Sequence, residues 1–114
     1  MSTRKKSDER LALLQGTLDL LILRTLAAGP QHGQGIARAI QSESGDELLV
    51  DHGSLYPALQ RLEGKGLIFA EWGVSENNRR ARFYALTRPG KQRAAQGVAQ
   101  WRRFAAAIGR VLGT

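Results

Sequence analysis

The sequence predicts a mainly α-helical domain that carries a small antiparallel β-hairpin and ends in a long helix. Three observations predict it. Apolar residues recur at three- and four-residue spacing in Leu14, Leu18, Leu21, Ile22 and Leu26, and again in Leu55, Leu59 and Leu62, which is the period of a one-sided helix. That period then gives way to LIFAEW and ARFYAL, rich in strand-favouring residues, with turn-prone VSENNRR between them. Finally, Thr87 and Pro89 mark a helix start that leads into a periodic run reaching about Leu112. Helix, strand, arginine-loaded turn and returning strand, in that order from Asp51 to Thr87, form the layout of a winged helix-turn-helix.

Taken in order, residues 1–8 are expected to be a flexible arm, 9–87 the winged domain and 88–114 a C-terminal dimerisation helix. The first helix is the central strut, with Leu20 and Leu23 adding apolar surface on other sides. Gly29 and Pro30 end it, because proline disfavours helical geometry in its predecessor and has no amide to donate. A shorter helix over about 33–42 turns Ile36, Ala37 and Ile40 inward, and the polar SESGDE connects it to the third helix. There Leu55, Leu59 and Leu62 form a narrow apolar stripe, leaving Pro57 and Gln60 opposite it, flanked by Ser54, Tyr56 and Arg61. Two starts are open for this helix. Ser54 as N-cap puts Pro57 in the first turn, where no amide is needed; Asp51 as N-cap puts it in the interior, with a kink or an irregular turn as the consequence.

In the last helix Ala94, Val98, Trp101, Ala105, Ile108 and Leu112 follow coiled-coil spacing, and Gly97, Phe104 and Val111 form a second stripe. A bare apolar seam is expected to be covered by a second copy of the chain. The competing arrangement docks the whole apolar face back onto its own domain.

Charge is distributed as unevenly as hydropathy. The 114 residues carry a formal net charge of +7, and a basic domain of one-core size favours a polyanionic partner. Residues 79–114 hold nine basic residues and no acid, whereas residues 1–78 hold eight basic against ten acidic. The excess therefore begins at the hairpin tip, where Asn78, Arg79, Arg80 and Arg82 lie. Guanidinium groups pair bidentately with phosphate and enter narrow minor grooves. On the third helix Gln60 and Arg61 can make paired hydrogen bonds to adenine and guanine edges, and Ser54 and Tyr56 can donate to phosphate.

Other chemistries find little support. With no cysteine there is no disulfide or thiolate nucleophile, and a reducing cytoplasm suits the chain. The apolar run LALLQGTLDLLILRTLAAG is broken by Gln15, Gly16, Asp19 and Arg24, which fits neither a signal peptide nor a membrane span. His32 and His52 stand outside any metal-ligand spacing, and the glycines of HGQGIA do not follow a strand as a nucleotide cradle requires. Asp51 beside His52 is the nearest approach to an acid/base pair, with no third group to orient it. Neither an enzyme nor a bound metal or cofactor is expected.

The segments LLQGTLDLLILRTLAAGPQHGQGIARAI, GSLYPALQRLEGKGLI and AEWGVSENNRRARFYALTRPGK resemble the PadR family of bacterial winged-helix transcriptional regulators, in its short form with a single C-terminal helix. The resemblance spans about residues 11–112. It implies a dimer, commonly a repressor, bound to inverted repeats in double-stranded DNA. It places the helix near Ser54, with Ser54, Tyr56 and Pro57 in its motif, in the major groove, and the hairpin from Arg79 to Arg82 at the flanking minor groove or backbone. Gln34 departs from the pattern, since an aromatic residue usually follows HG there. Some relatives respond to small aromatic effectors near the dimer interface; Trp101 and Phe104, with the more distant Trp72, are the candidates here, although heptad-spaced aromatics also serve as plain packing. The alternative function is a protein-interaction module on the same scaffold.

Overall fold

The computed structural model describes residues 11–12 and 15–114. The elements are β1 (Leu11–Ala12), α1 (Gln15–Leu26), β2 (Gln31–His32), α2 (Gly33–Glu43), β3 (Leu48–Leu49), α3 (His52–Gly64), β4 (Ile68–Val74), β5 (Arg80–Leu86) and α4 (Arg88–Leu112). The expected arm, residues 1–8, lies outside the described residues. The fold class is the expected one, a mainly α winged helix with a long C-terminal helix.

The wing is larger than a hairpin. β4 and β5 pair antiparallel with Trp72 opposite Arg82, and β2 adds a third strand, Gln31 opposite Tyr84. A separate pair joins β1 to β3 in parallel, Leu11 opposite Leu48. β1, β2 and β3 each span two residues, too few to leave a period-two pattern in the sequence.

α1 is the strut. Its Leu18, Ile22, Leu23 and Leu26 are buried against Ile36 and Ile40 of α2, Leu55, Leu59 and Leu62 of α3, and Ile68, Tyr84 and Leu86 of the sheet. Truncating one such leucine or isoleucine to alanine typically costs about 2–5 kcal/mol. The elements that position the site are therefore held by one shared core.

α3 begins at His52 with Asp51 as its N-cap, whose Oδ1 accepts the Ser54 amide at 2.8 Å. Of the two possible starts the earlier is realised, so Pro57 sits inside the helix and denies a donor to the Gly53 carbonyl. Gly53 and Pro57 are both exposed, which leaves that carbonyl to solvent. At the other end Gly66 takes φ 71°. The Gly66 amide bonds to the Glu63 carbonyl and the Leu67 amide to the Leu62 carbonyl, both at 3.0 Å, a Schellman closure that aims the chain directly into β4.

α4 starts at Thr87, whose Oγ1 accepts the Gly90 amide at 3.1 Å and donates to the Gly66 carbonyl at 2.6 Å. Its first half belongs to the domain. Gly97 lies on α1, where a Cβ would come 2.6 Å from Leu20 Cδ1, and Ala94 is only 4% exposed within its own chain. Ala94, expected in the dimer seam, is thus corrected to core: the helix has to cross α1 and the sheet before it can leave them. From Trp101 onward the helix leaves the core, with Trp101 and Phe104 still facing the start of α1 across an open groove, and Trp101, Phe104, Ile108, Val111 and Leu112 are all exposed. Docking of the apolar face onto the same chain holds for the first half only.

Candidate nucleic-acid interface

Three elements converge on one open groove of about 450 Å³. It is lined by His32, Gly33 and Gln34 at the start of α2, Tyr56 and Gln60 on α3, and Trp72, Arg80, Ala81, Arg82 and Tyr84 on the wing. No carboxylate lines it. The helical period places Tyr56, Pro57 and Gln60 away from Leu55, Ala58, Leu59 and Leu62, and the first set is exposed while the second is buried.

Tyr56 is braced on two sides. Its ring stands edge-on to His52 at 5.7 Å and lies over Gly33, where a Cβ would be 3.0 Å from the Tyr56 hydroxyl. A side chain at position 33 would displace the ring, so this glycine keeps the hydroxyl at the groove. Ser54 is less free, because its hydroxyl lies 3.4 Å from Asp51 Oδ2. Gln60 is exposed and has the donor and acceptor needed to grip an adenine edge.

Arg61 requires a correction. It was expected beside Gln60 as a base reader, but its Nη2 donates to Asp19 Oδ1 of α1 at 3.0 Å, and its Nε is buried without a partner. The position next to Leu62 turns the side chain toward the strut, where it joins two helices. The 42 residues separating the pair leave no trace in local sequence.

Alternation along the wing puts Trp72 and Val74 of β4 on the same face as Arg80, Arg82 and Tyr84 of β5. The inner end of this face is core, and burial pushes the Tyr84 phenol above its ordinary pKa. The outer end is the groove. There the Arg80 guanidinium lies 4.6 Å from the centre of the Trp72 ring, and Arg82 donates to Glu63 Oε2 at 3.0 Å. At the tip Asn78 adopts φ 57°, and Ser75 and Arg79 close the turn through the Ser75 amide and the Arg79 carbonyl at 2.8 Å. Asparagine is among the few residues at ease in that conformation.

Glu76, the acid of the tip, reaches back to α2. Its carboxylate accepts from Arg38 at 2.5 Å and faces His32 Nε2 at 3.4 Å. His32 Nδ1 accepts the Gly35 amide at 3.1 Å, which places the ring proton on Nε2, toward Glu76. A backbone amide hydrogen bond, then Arg38 and His32, hold the Glu76 carboxyl below its ordinary pKa. Among the described residues Arg79 and Arg80 have no carboxylate partner. The sequence singled out Gln34 only as a departure from the family pattern, and it gave no sign of Gly33 at the groove or of the Glu76 linkage; HG ahead of a helix was the available hint for Gly33.

The aromatic candidates separate. Trp101 and Phe104 are neighbours, ring centres 5.9 Å apart, in an open groove of about 620 Å³ against Gly16, Thr17 and Leu20 of α1. Trp72 is in the wing groove instead, so the three do not form one pocket. This too is a correction, since β4 carries Trp72 away from α4.

The model of the "Transcriptional regulator PadR-like family" matches residues 22–96. The chain belongs to this family. It is similar in structure to a transcriptional regulator from Clostridium thermocellum, at 27% identity and a TM-score of 0.75, over 84% of this chain and 93% of that one. A PadR family transcription regulator from Clostridium difficile matches at 29% identity and a TM-score of 0.70, over 83% of this chain and 97% of that one. In sequence it is 28% identical over 92 residues to an uncharacterized protein from Lysinibacillus sphaericus, covering 81% of this chain and 84% of the relative. This PadR-like chain is accordingly a transcriptional regulator, of a family and fold that are not those of enzymes. No helix among the described residues is long and apolar enough to cross a membrane.

Proposed function

We propose that this PadR-like regulator is a homodimeric repressor that binds a pseudo-palindromic DNA operator. One observation carries the reading: Tyr56 and Gln60 of α3 share an acid-free groove with Arg80 of the wing. α3 enters the major groove, where Gln60 reads an adenine edge and Tyr56 donates to phosphate. Ser54 and Pro57 occupy the turn that meets the backbone. Asn78, Arg79 and Arg80 lie over the adjacent phosphates or minor groove, and Arg82 can exchange its exposed Glu63 partner for phosphate. The exposed half of α4, with Trp101, Phe104, Ala105, Ile108 and Leu112, pairs with a second copy, and the partly buried Val98 adjoins that seam. Two-fold pairing sets half-sites about one helical turn apart, or a multiple of it. An aromatic effector held by Trp101 and Phe104 would sit beside that seam.

The test is the salt dependence of binding to DNA from upstream of the protein's own gene, with light scattering of the free protein. Every phosphate that is no longer neutralised lowers the log-log slope by about 0.9. Arg79→Ala with Arg80→Ala is therefore expected to flatten the slope of a dimer by about 3–4 and leave sequence preference intact. An unchanged slope removes the wing from the model. A monomer that binds no DNA at low salt supports the protein-interaction module instead, and a reporter fused to the upstream region separates repression from activation.

A further inference from the structure

We propose that Trp72 and Arg80 form a composite docking site for the sugar-phosphate strand that separates the two DNA grooves, with the indole against deoxyribose and the guanidinium on the adjoining phosphate. The inference rests on the DNA-binding reading above. Trp72 is 61% exposed, although a bare indole on the rim of a polar groove gains nothing from water. It is already used on one side, where Arg80 stacks 4.6 Å from the ring centre.

Stacking does two things for Arg80. It holds a flexible side chain beside the ring, and because no carboxylate among the described residues pairs with Arg80, its donors are open to an acceptor. The surroundings select the occupant. The groove contains a cation without a carboxylate partner among the described residues, the neutral donors Gln34, Tyr56 and Gln60, and two separate exposed rings, Trp72 on the wing and Tyr56 on α3. An apolar peptide or a lipid chain needs a continuous greasy strip, and an acidic peptide does not account for the lone indole. A nucleic-acid strand presents both features in alternation, an apolar sugar ring followed by a phosphate. Position agrees with this. The groove runs between the face of α3 that would occupy the major groove and the wing that would flank it, so the strand dividing those grooves must pass through it.

Trp72 and Trp101 are the only tryptophans, which makes the idea directly readable. Wild type and Trp72→Phe are titrated with a fluorophore-labelled duplex of mixed sequence at low salt, binding being followed by anisotropy of the label and the site by tryptophan emission and its accessibility to acrylamide. The difference between the two proteins reports Trp72 alone. The expected result is that Trp72 emission changes and acrylamide access falls as the duplex saturates. Trp72→Ala and Arg80→Ala should each weaken binding about five- to tenfold on all sequences alike, and the double variant should be scarcely worse than either, because the stacked pair acts as one unit. Trp72→Phe should keep most of the affinity. Saturable binding with unaltered Trp72 emission and accessibility overturns the inference while the DNA-binding reading stands. No binding to any duplex removes that reading, and the inference with it.

Discussion

Arg61 and Asp19 offer the sharpest test of the structure, because two roles for one arginine give opposite outcomes. The Nη2 to Oδ1 distance is 3.0 Å, with side-chain exposures of 32% for Arg61 and 16% for Asp19, so the pair is neither a surface pair worth about 0–1 kcal/mol nor a fully buried one whose breakage costs about 3–5 kcal/mol. Asp19→Ala leaves a partly buried guanidinium with both Nε and Nη2 unpartnered and should cost about 2 kcal/mol, within the range for a charged group stripped of its hydrogen bond. Arg61→Ala leaves the more deeply buried carboxylate unpaired and should cost about the same. The double variant removes both orphans together, so a double-mutant cycle should return a coupling of about 1–1.5 kcal/mol. Urea denaturation at one fixed protein concentration measures it, since the stability of an associating chain depends on concentration. Affinity of Arg61→Ala for a panel of single-base operator variants supplies the second readout. A coupling below about 0.5 kcal/mol, or a loss confined to particular base pairs, would refute the strut role and restore Arg61 to the reading face.

Two further outcomes follow from the backbone and from charge. A Cβ on Gly90 would land on the Leu67 carbonyl oxygen, which already accepts the Thr87 amide at 3.1 Å and cannot retreat without losing that bond; Gly90→Ala should therefore cost about 3 kcal/mol or more, the upper end for overpacking, and a shift in urea midpoint equivalent to less than about 1 kcal/mol would show that α4 stands farther from the sheet. Glu76 has a depressed folded-state pKa, so its contribution is present above the ordinary glutamate value and is lost as pH falls through the lower folded value. The stability difference between wild type and Glu76→Gln, followed by denaturation across the acid range, should be constant at neutral pH and vanish below that value. A difference that instead grows toward low pH would show that the carboxylate is not held by Arg38 and His32.

What the sequence revealed and what it hid follow from the range of the forces involved. The four helices of the described chain were legible because Leu18, Ile22 and Leu26, or Leu55, Leu59 and Leu62, repeat at a period that burial on one side requires. Thr87 and Pro89 marked the start of α4 for equally local reasons. The start of α3 was undecidable locally, since Asp51 and Ser54 are both good caps, and in the structure Asp51 takes the role through the Ser54 amide. The third wing strand escaped notice because the Gln31 and His32 pairing is with residues 83 and 84, a tertiary contact with no periodic signature. Of the residues that line the candidate groove, Tyr56 and Gln60 stood out by type and helical phase, and Arg80 and Arg82 by type beside a turn-prone tip. Arg61 was misread for the opposite reason: phase places it near the exposed face, and a single carboxylate on another helix pulls it away. Ala94 was misread because heptad spacing says which residues share a stripe and not what covers each part of it.

The ion pairs change the reading of the charge itself. By count the third helix and wing together supply Arg61, Arg79, Arg80 and Arg82, but Arg61 is tied to Asp19 and Arg82 to Glu63, and on the neighbouring α2 Arg38 is tied to Glu76. Among the described residues only Arg79 and Arg80 of these four remain without a carboxylate, and they lie where a strand would pass. Two phosphate contacts per subunit correspond to a salt slope of only about −1.8, weak nonspecific binding by the standards of DNA-reading domains. Arg82 can add to this because its pair with Glu63 is solvent-exposed, and exchanging such a partner for phosphate costs little. On the proposed reading, useful affinity must then come from engaging two half-sites at once, where the second is bound at the high effective concentration that a rigid connection enforces. The exposed outer half of α4 suits that connection. It is anchored to α1 through Gly97 and Leu20, so a partner held along Trp101, Ile108 and Leu112 would be fixed in orientation relative to α3 and the wing. On that proposal a weakly charged reading face and an apolar arm are complementary parts of one design, in which selectivity depends on the spacing between two sites more than on the strength of either.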